Sequence, residues 1–335
     1  MFGRSATALT PLDGIEAVFV DLDGVVYAGP TAIPGAVESL NALNTPLGYL
    51  TNNASRTTEQ VAAHLRELGL HAAPEQVVSS PQSAVRILAS RVPTGSRVLV
   101  IGGDGIRAVL TAAGFEVVAS ANDQPAAVVQ GFSPTLGWAD LAEASFALRG
   151  TDVLWIATNM DWTIPVERGI APGNGTLVSA VHTAAGRMPD AVAGKPETAM
   201  FELALERFGV QRALMVGDRL DTDIAGANRA GLASALVLTG IDRPKQLLAA
   251  KPEERPQFIL PDLTALTDGY VAPELVKGEW RCGDARVAVD GIDVRIVKAG
   301  IDRLHLLRAG CAAIWNAEHS IHALRVPEQL YADSI

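Results

Sequence analysis

Ile15-Glu-Ala-Val-Phe-Val-Asp21-Leu-Asp23-Gly24 is an apolar run closed by two carboxylates and a glycine. Its β-branched and aromatic content predicts a buried strand that ends at Asp21. The same grammar recurs down the chain. Leu47-Gly-Tyr-Leu50 runs into Thr51-Asn52-Asn53, and Arg97-Val-Leu-Val-Ile101 into Gly102-Gly-Asp-Gly105. Ala126–Gln130 and Val153–Ala157 follow, then Ala213-Leu-Met-Val216 before Gly217-Asp218-Arg-Leu-Asp-Thr-Asp223, and Ser234–Leu238 before Thr239-Gly240. Helical patterns lie between these runs. Thr57-Thr-Glu-Gln60 offers a capping box to the helix that carries Val61, Leu65 and Leu68 and stops at Gly69. Such alternation predicts an α/β fold with a parallel sheet, in which ligands bind where strands end.

The chain of 335 residues is long enough for two domains and a substantial core. Apolar residues make up 48% and charged ones 19%, an ordinary globular composition. A net charge of −10 with no Lys/Arg cluster argues against nucleic-acid binding. Cys282 and Cys311 stand outside any CxxC and read as buried thiols in a reducing, cytoplasmic setting. Residues 1–14 carry no leader-like apolar stretch, and no run is long enough to span a membrane. The sequons at Asn53 and Asn174 are therefore chance matches.

The long gap between Asn53 and Lys195 is informative, because residues 97–114 and 126–157 within it have strand-helix texture of their own. If Asn53 and Lys195 serve one ligand, the chain between them must leave a core and return to it. The expected architecture is a three-layer, parallel-sheet (Rossmann-like) core over 15–81 and 188–262, with an inserted α/β cap over 82–187. Beyond it, 263–335 reads as a small α+β module. Arg286–Val289 and Val294–Val297 are expected as strands there and Leu304–Trp315 as a helix.

Asp21 and Asp23 offer a carboxylate nucleophile, ionised at pH 7, and a second group for proton transfer. Asp218 and Asp223 suit a hard-cation site of oxygen ligands, which favours Mg²⁺. A calcium loop is excluded, since Asp223 stands where its glycine belongs and Arg229 where its glutamate belongs. Asp221 or Thr222 is expected to cap the helix that begins near Ile224. Four carboxylates facing a phosphate dianion require compensation, because like charges about 4 Å apart repel by about 4 kcal/mol at an effective dielectric near 20. Mg²⁺, Lys195 within Gly194-Lys-Pro196, the Thr51 hydroxyl and backbone N–H groups at Thr51-Asn52-Asn53 are expected to supply it. Together these groups suit phosphoryl transfer through an aspartyl-phosphate. The glycines of Gly102-Gly-Asp-Gly105 do not have dinucleotide-loop spacing.

With these motifs assembled, the chain resembles the haloacid dehalogenase-like hydrolases. Asp21-Leu-Asp-Gly-Val-Val-Tyr27, Thr51-Asn-Asn-Ala54, Lys195 and Gly217-Asp-Arg-Leu-Asp-Thr-Asp-Ile224 are similar to that family's four motifs. They narrow it to the 4-nitrophenylphosphatase and phosphoglycolate/pyridoxal-phosphate phosphatase branch, whose cap Ala157-Thr-Asn-Met-Asp161 and Pro172-Gly-Asn-Gly175 also resemble. The resemblance implies that Asp21 is the nucleophile and Asp23 the acid/base. It also implies that Mg²⁺ is held by Asp21, Asp218 and the Asp23 carbonyl, with Asp223 ligating or supporting. The tail is similar to that of actinobacterial glycerol 3-phosphate phosphatases, in which it resembles part of an acetyltransferase fold. No acyl-CoA pyrophosphate loop occurs in 263–335, so packing, homo-oligomerisation or partner binding is expected rather than acetyl transfer. The expected substrate is a small phosphorylated metabolite. Glycerol 3-phosphate leads, with phosphoglycolate, pyridoxal phosphate and aryl phosphates competing; a non-catalytic phosphometabolite sensor is the alternative of another class. Asn159 and Asp161, after the apolar strand ending at Ala157, are candidates to contact the leaving group.

Overall fold

A computed structural model describes residues 9–166 and 168–332. Residues 1–8, part of the stretch read above as lacking a leader, lie outside the described residues. The chain forms two compact units, 1–46 with 211–335, and 47–210.

The first unit contains four mutually parallel strands in the order Phe258–Leu260, Ala233–Val237, Ala213–Gly217, Ala17–Val20. Their residues are buried on both faces almost without exception, as expected of parallel strands covered on both sides. The register pairs Val20 with Val216 and Gly217 with Leu236. Asp21 and Asp218 therefore leave neighbouring strands at the same end.

The tail contains more strand than its sequence suggested. Glu274–Val276, Glu279–Cys282, Ala285–Asp290 and Asp293–Lys298 form an antiparallel sheet, against which the helix Arg303–Trp315 packs. The first two strands lie in segments not read as strands above. They are three and four residues long, too short for alternation to register.

Nor does the tail have a core to itself. Cys282, Val287, Leu306, Leu307 and Cys311 share one apolar cluster with Leu220, Ile224, Leu236 and Leu247 of the hydrolase body. Arg308, 5% exposed, donates from Nε and Nη2 to the Ile259 carbonyl at 3.1 and 2.7 Å and lies 4.0 Å from the Tyr270 ring centroid. The Ile259 N–H donates to the Tyr270 hydroxyl at 3.3 Å. The outward backbone groups of this edge strand are thus satisfied by side chains, which removes an open edge. Both cysteines are buried thiols, as expected; burial pushes Cys282 up to about 11 and Cys311 up as well.

The second unit carries the parallel pair Leu47–Thr51 and Val77–Ser79. It also carries a five-stranded parallel sheet in the order Ala191–Val192, Leu154–Ala157, Ala127–Gln130, Arg97–Ile101, Glu116–Val118. Alternate residues of a strand point to opposite faces, and the sheet follows that rule closely. Val98, Val100 and Val129 pack with Leu88 of helix Ser80–Ala89 and with Ile106 and Leu110 of Asp104–Ala112. Leu99, Ile101 and Val128 pack instead with Leu148 of Trp138–Leu148 and with Val178 and Val181 of Asn174–Ala185. This is a three-layer α/β sandwich inside the stretch between Asn53 and Lys195.

The Thr57 capping box forms as read, with Gln60 N donating to the Thr57 hydroxyl and Thr57 N to the Gln60 side chain. The glycines at 103 and 105 serve packing. A Cβ at Gly105 would collide with the carbonyls of Ala54 and Arg56, so helix Asp104–Ala112 can approach that loop only without one.

Candidate active site

In the first unit the strand Ala17–Val20 delivers Asp21, whose N–H donates to the Val216 carbonyl at 2.9 Å. The neighbouring strand delivers Asp218. A five-residue π-type turn, Leu220–Ile224, brings Asp223 back towards it. Carboxylate oxygens of Asp21, Asp218 and Asp223 lie within 4.8 Å of one another. Asp218 and Asp223 are each 1% exposed.

Among the described residues this is the one cluster of at least three potential ligands close enough to share a metal ion. Three close anions in low-dielectric surroundings repel unless a cation sits among them. An all-oxygen set of this kind fits a small hard divalent ion.

Backbone donors hold these carboxylates. Ile241 N donates to Asp218 Oδ2 at 2.7 Å, and Arg219 N to Asp223 Oδ2 at 3.2 Å. Asp23 is exposed and begins a tight turn, with Gly24 N bonded to the Tyr27 carbonyl at 2.8 Å. Gly24 has φ +83°, and a Cβ there would run into the Asp218 carboxylate. Backbone conformation and close approach both require glycine.

The expected cap of the following helix is not formed. Neither Asp221 nor Thr222 caps the turn at Leu220–Ile224 or the helix Ala225–Arg229. Asp221 instead pairs with the Arg219 guanidinium at 3.0 and 2.8 Å. The π-type turn runs directly into that helix, so Asp221 and Thr222 lie within a helical turn whose N-cap is Arg219.

In the second unit Thr51 ends its strand and is 4% exposed, its hydroxyl accepting from Asn53 N at 3.1 Å. The Asn53 carboxamide closes a local turn by accepting from Ser55 N and the Ser55 hydroxyl at 2.9 and 2.7 Å. Asn52 grips the Lys195 peptide from both sides: Oδ1 accepts its N–H at 2.8 Å and Nδ2 donates to its carbonyl at 3.1 Å. Nδ2 also donates to the Asp161 carboxylate at 3.2 and 3.3 Å.

The Asn52 carbonyl accepts from Asn159 Nδ2 at 2.8 Å and from the Ser80 hydroxyl at 2.9 Å. Lys195 is 3% exposed, donates from Nζ to the Leu50 carbonyl at 3.2 Å and precedes a cis peptide bond to Pro196. Asn52, Asn159, Asp161 and Lys195 therefore form one hydrogen-bonded group. The side chains of Asn52 and Asn159 serve the protein's own loops, and Asn159 is 4% exposed.

Two participants were absent from the sequence reading. Ser80 is buried and fixes the Asn52 carbonyl, although nothing in Ser79-Ser-Pro81 marks it. Asp242 accepts the Leu220 N–H at 2.6 Å. Burial pushes its carboxyl above the ordinary range, and that hydrogen bond opposes the shift.

Residues 18–116 match the profile of the haloacid dehalogenase-like hydrolases, and residues 192–266 match a second profile of HAD-like hydrolases. The D-glycerol 3-phosphate phosphatase of Mycobacterium tuberculosis is 43% identical over 307 residues, 90% of this chain and 86% of that protein. Human chronophin is 36% identical, covering 79% of this chain and 97% of its own length. The magnesium complex of a glycerol phosphate phosphatase from M. tuberculosis superimposes with a TM-score of 0.85 at 42% identity, covering 93% of each chain. A 4-nitrophenylphosphatase from Thermotoga maritima gives 0.71 at 33% identity, over 76% of this chain and 97% of its own.

Proposed function

The chain belongs to the haloacid dehalogenase-like hydrolases, and from that membership we propose that it hydrolyses a small phosphomonoester, glycerol 3-phosphate, through an aspartyl-phosphate. It is a magnesium-dependent phosphatase. The observation that carries the reading is the cluster of Asp21, Asp218 and Asp223 at the ends of neighbouring strands, together with relatives that act on glycerol phosphate.

The Asp21 carboxylate attacks phosphorus and forms the acyl phosphate as the bond to the glycerol oxygen breaks. Asp23, at the exposed start of its turn, gives its proton to the departing alkoxide. It then takes one from the water that attacks phosphorus and releases Asp21. Bound Mg²⁺ supplies charge neutralisation between the carboxylates and the phosphoryl oxygens; Asp21, Asp218, Asp223 and the Asp23 carbonyl would hold it. The Thr51 hydroxyl, the Lys195 ammonium and the N–H groups after Thr51 bind phosphoryl oxygens. Asn52 and Asn159 contribute by fixing Lys195 and Asp161, and Asn53 by closing the turn after Thr51. Asp161 is the side chain we assign to the glycerol hydroxyls. Residues 82–187 act as the cap. Strand Ala191–Val192, paired with Leu154–Ala157, and the start of helix Ser80–Ala89 also belong to it, so the insertion runs beyond the expected bounds. Residues 263–335 act as a packing module.

Among the described residues no helix is long and apolar enough to cross a membrane. The two free cysteines accord with a cytoplasmic enzyme.

The deciding measurement is kcat/KM with Mg²⁺ for both glycerol 3-phosphate enantiomers, phosphoglycolate and pyridoxal phosphate under one set of conditions. Glycerol 3-phosphate is expected to lead. A tenfold or greater advantage for either competitor would refute the substrate and leave the phosphatase standing.

A further inference from the structure

The segment after strand Ala233–Val237 braces the carboxylate cluster at several points, although none of its residues belongs to that cluster. The Thr239 hydroxyl donates to the Gly24 carbonyl at 2.6 Å, and Ile241 N to Asp218 Oδ2 at 2.7 Å. Asp242 N donates to the Asp218 carbonyl at 3.1 Å. A Cβ at residue 240 would occupy the place of the Asp218 side chain, so only glycine lets the segment come this close. The fourth contact runs from the turn itself: Leu220 N donates to the Asp242 carboxylate at 2.6 Å, across 22 residues of sequence.

That last contact answers a local need. The first N–H groups of a helical turn have no partner within it. At Leu220–Ile224 the N-cap is Arg219, whose side chain makes no cap hydrogen bond. Arg219 N is satisfied by Asp223 Oδ2. Leu220 N is satisfied by Asp242, a cap supplied from a distant loop and strengthened by charge. The turn it holds presents Asp223, and the residue just before the turn's N-cap is Asp218. Electrostatics works against this arrangement, because gathering three carboxylates within 4.8 Å favours opening the turn when no cation is bound. A brace on the first amide of the turn resists that opening.

We propose that Asp242 is a positioning residue for divalent-cation binding, holding the 217–223 turn closed so that Asp218 and Asp223 stand beside Asp21. The inference rests on the metal-dependent reading above. Groups behind a metal's ligands commonly set affinity by 10- to 100-fold when removed.

The test measures Mn²⁺ binding by electron paramagnetic resonance on the full-length, metal-stripped protein, without turnover. Asp242→Ala is expected to weaken Mn²⁺ about tenfold. Asp242→Asn, whose amide oxygen still accepts a neutral hydrogen bond, should weaken it about threefold, since uncharged hydrogen bonds are the weaker kind. KM for glycerol 3-phosphate at saturating Mg²⁺ should stay within about twofold of wild type, which separates cation affinity from substrate binding.

Asp262→Ala serves as a stability control. It removes a carboxylate that accepts Thr264 N at 2.8 Å in another turn of the same unit. That variant should melt earlier yet bind Mn²⁺ normally. Wild-type affinity in Asp242→Ala, or a loss no larger than that of Asp262→Ala, overturns the proposal. If Asp242→Ala does not fold, Asp242→Asn decides alone: threefold weaker binding supports the brace and unchanged binding overturns it. Failure of the wild type to bind Mn²⁺ is a distinct result, and it would remove the metal reading itself.

Discussion

At the scale of single residues the first test is the pair Asp21 and Asp23. Under the proposed mechanism Asp21→Asn should fold normally and lose nearly all turnover, because the nucleophile and metal-ligand roles proposed for it would be lost together. Asp23→Asn should cost roughly 10²- to 10⁴-fold in kcat, the range of general acid–base catalysis. Steady-state assays on variants with native circular dichroism decide both. Asn52 makes a different kind of test. Its carboxamide holds the N–H and carbonyl of Lys195, so Asn52→Ala should lower kcat/KM about tenfold, the size of a 1.4 kcal/mol loss, and should also lower the melting temperature. An unchanged kcat/KM would show that Lys195 needs no such support. This role was illegible in the sequence, because the partners of Asn52 lie 109 and 143 residues away. Asp21, Thr51 and Asp218 could be located in advance because each is a chemically distinctive group where an apolar strand ends. An amide that grips a peptide has no such signature.

Among elements, legibility followed burial. The strands Ala17–Val20, Arg97–Ile101 and Ala213–Gly217 are continuous apolar runs because both faces are covered, and continuous runs are easy to read. Glu274–Val276 and Glu279–Cys282 carry charged residues within three or four positions and could not be seen. The helix after Asp223 begins where it was read; its Asp221 or Thr222 cap was wrongly expected, because a π-type turn running into that helix cannot be inferred from residue type. Helix Asp104–Ala112 offers an element-scale prediction. Gly105→Ala would press a methyl against the Ala54 and Arg56 carbonyls, at a cost of about 1–3 kcal/mol as overpacking. Urea unfolding should report that loss. Adding NAD to the wild type should leave its melting temperature unmoved, since these glycines serve packing. A clear NAD-induced rise would contradict that assignment.

For the molecule as a whole, the tail is a structural partner of the hydrolase body. Ending the chain at 262 would expose Leu220, Leu236 and Leu247, and would uncover the backbone of Ile259. The expected product is insoluble or aggregated, judged by the soluble fraction and by gel filtration against the full chain. A monodisperse, active 1–262 fragment would contradict this. A milder form of the same test is Arg308→Met, which keeps most of the side-chain volume and leaves the Ile259 carbonyl without its charged donor. It should cost about 1–3 kcal/mol, read from the denaturant midpoint.

The Arg308 contact also has a consequence in time. Synthesis proceeds from the N-terminus at about 5–20 residues per second, and domains generally fold as units while the chain emerges. Strand Phe258–Leu260 leaves the ribosome well before residue 308, the side chain that closes its edge. During that interval the nascent chain presents a parallel sheet whose last strand is uncapped and whose apolar flank is bare. Completion of this half of the protein is therefore a late event in translation. Growth temperature and chaperone supply should govern the yield of active enzyme through that window, more than through the stability of the finished fold.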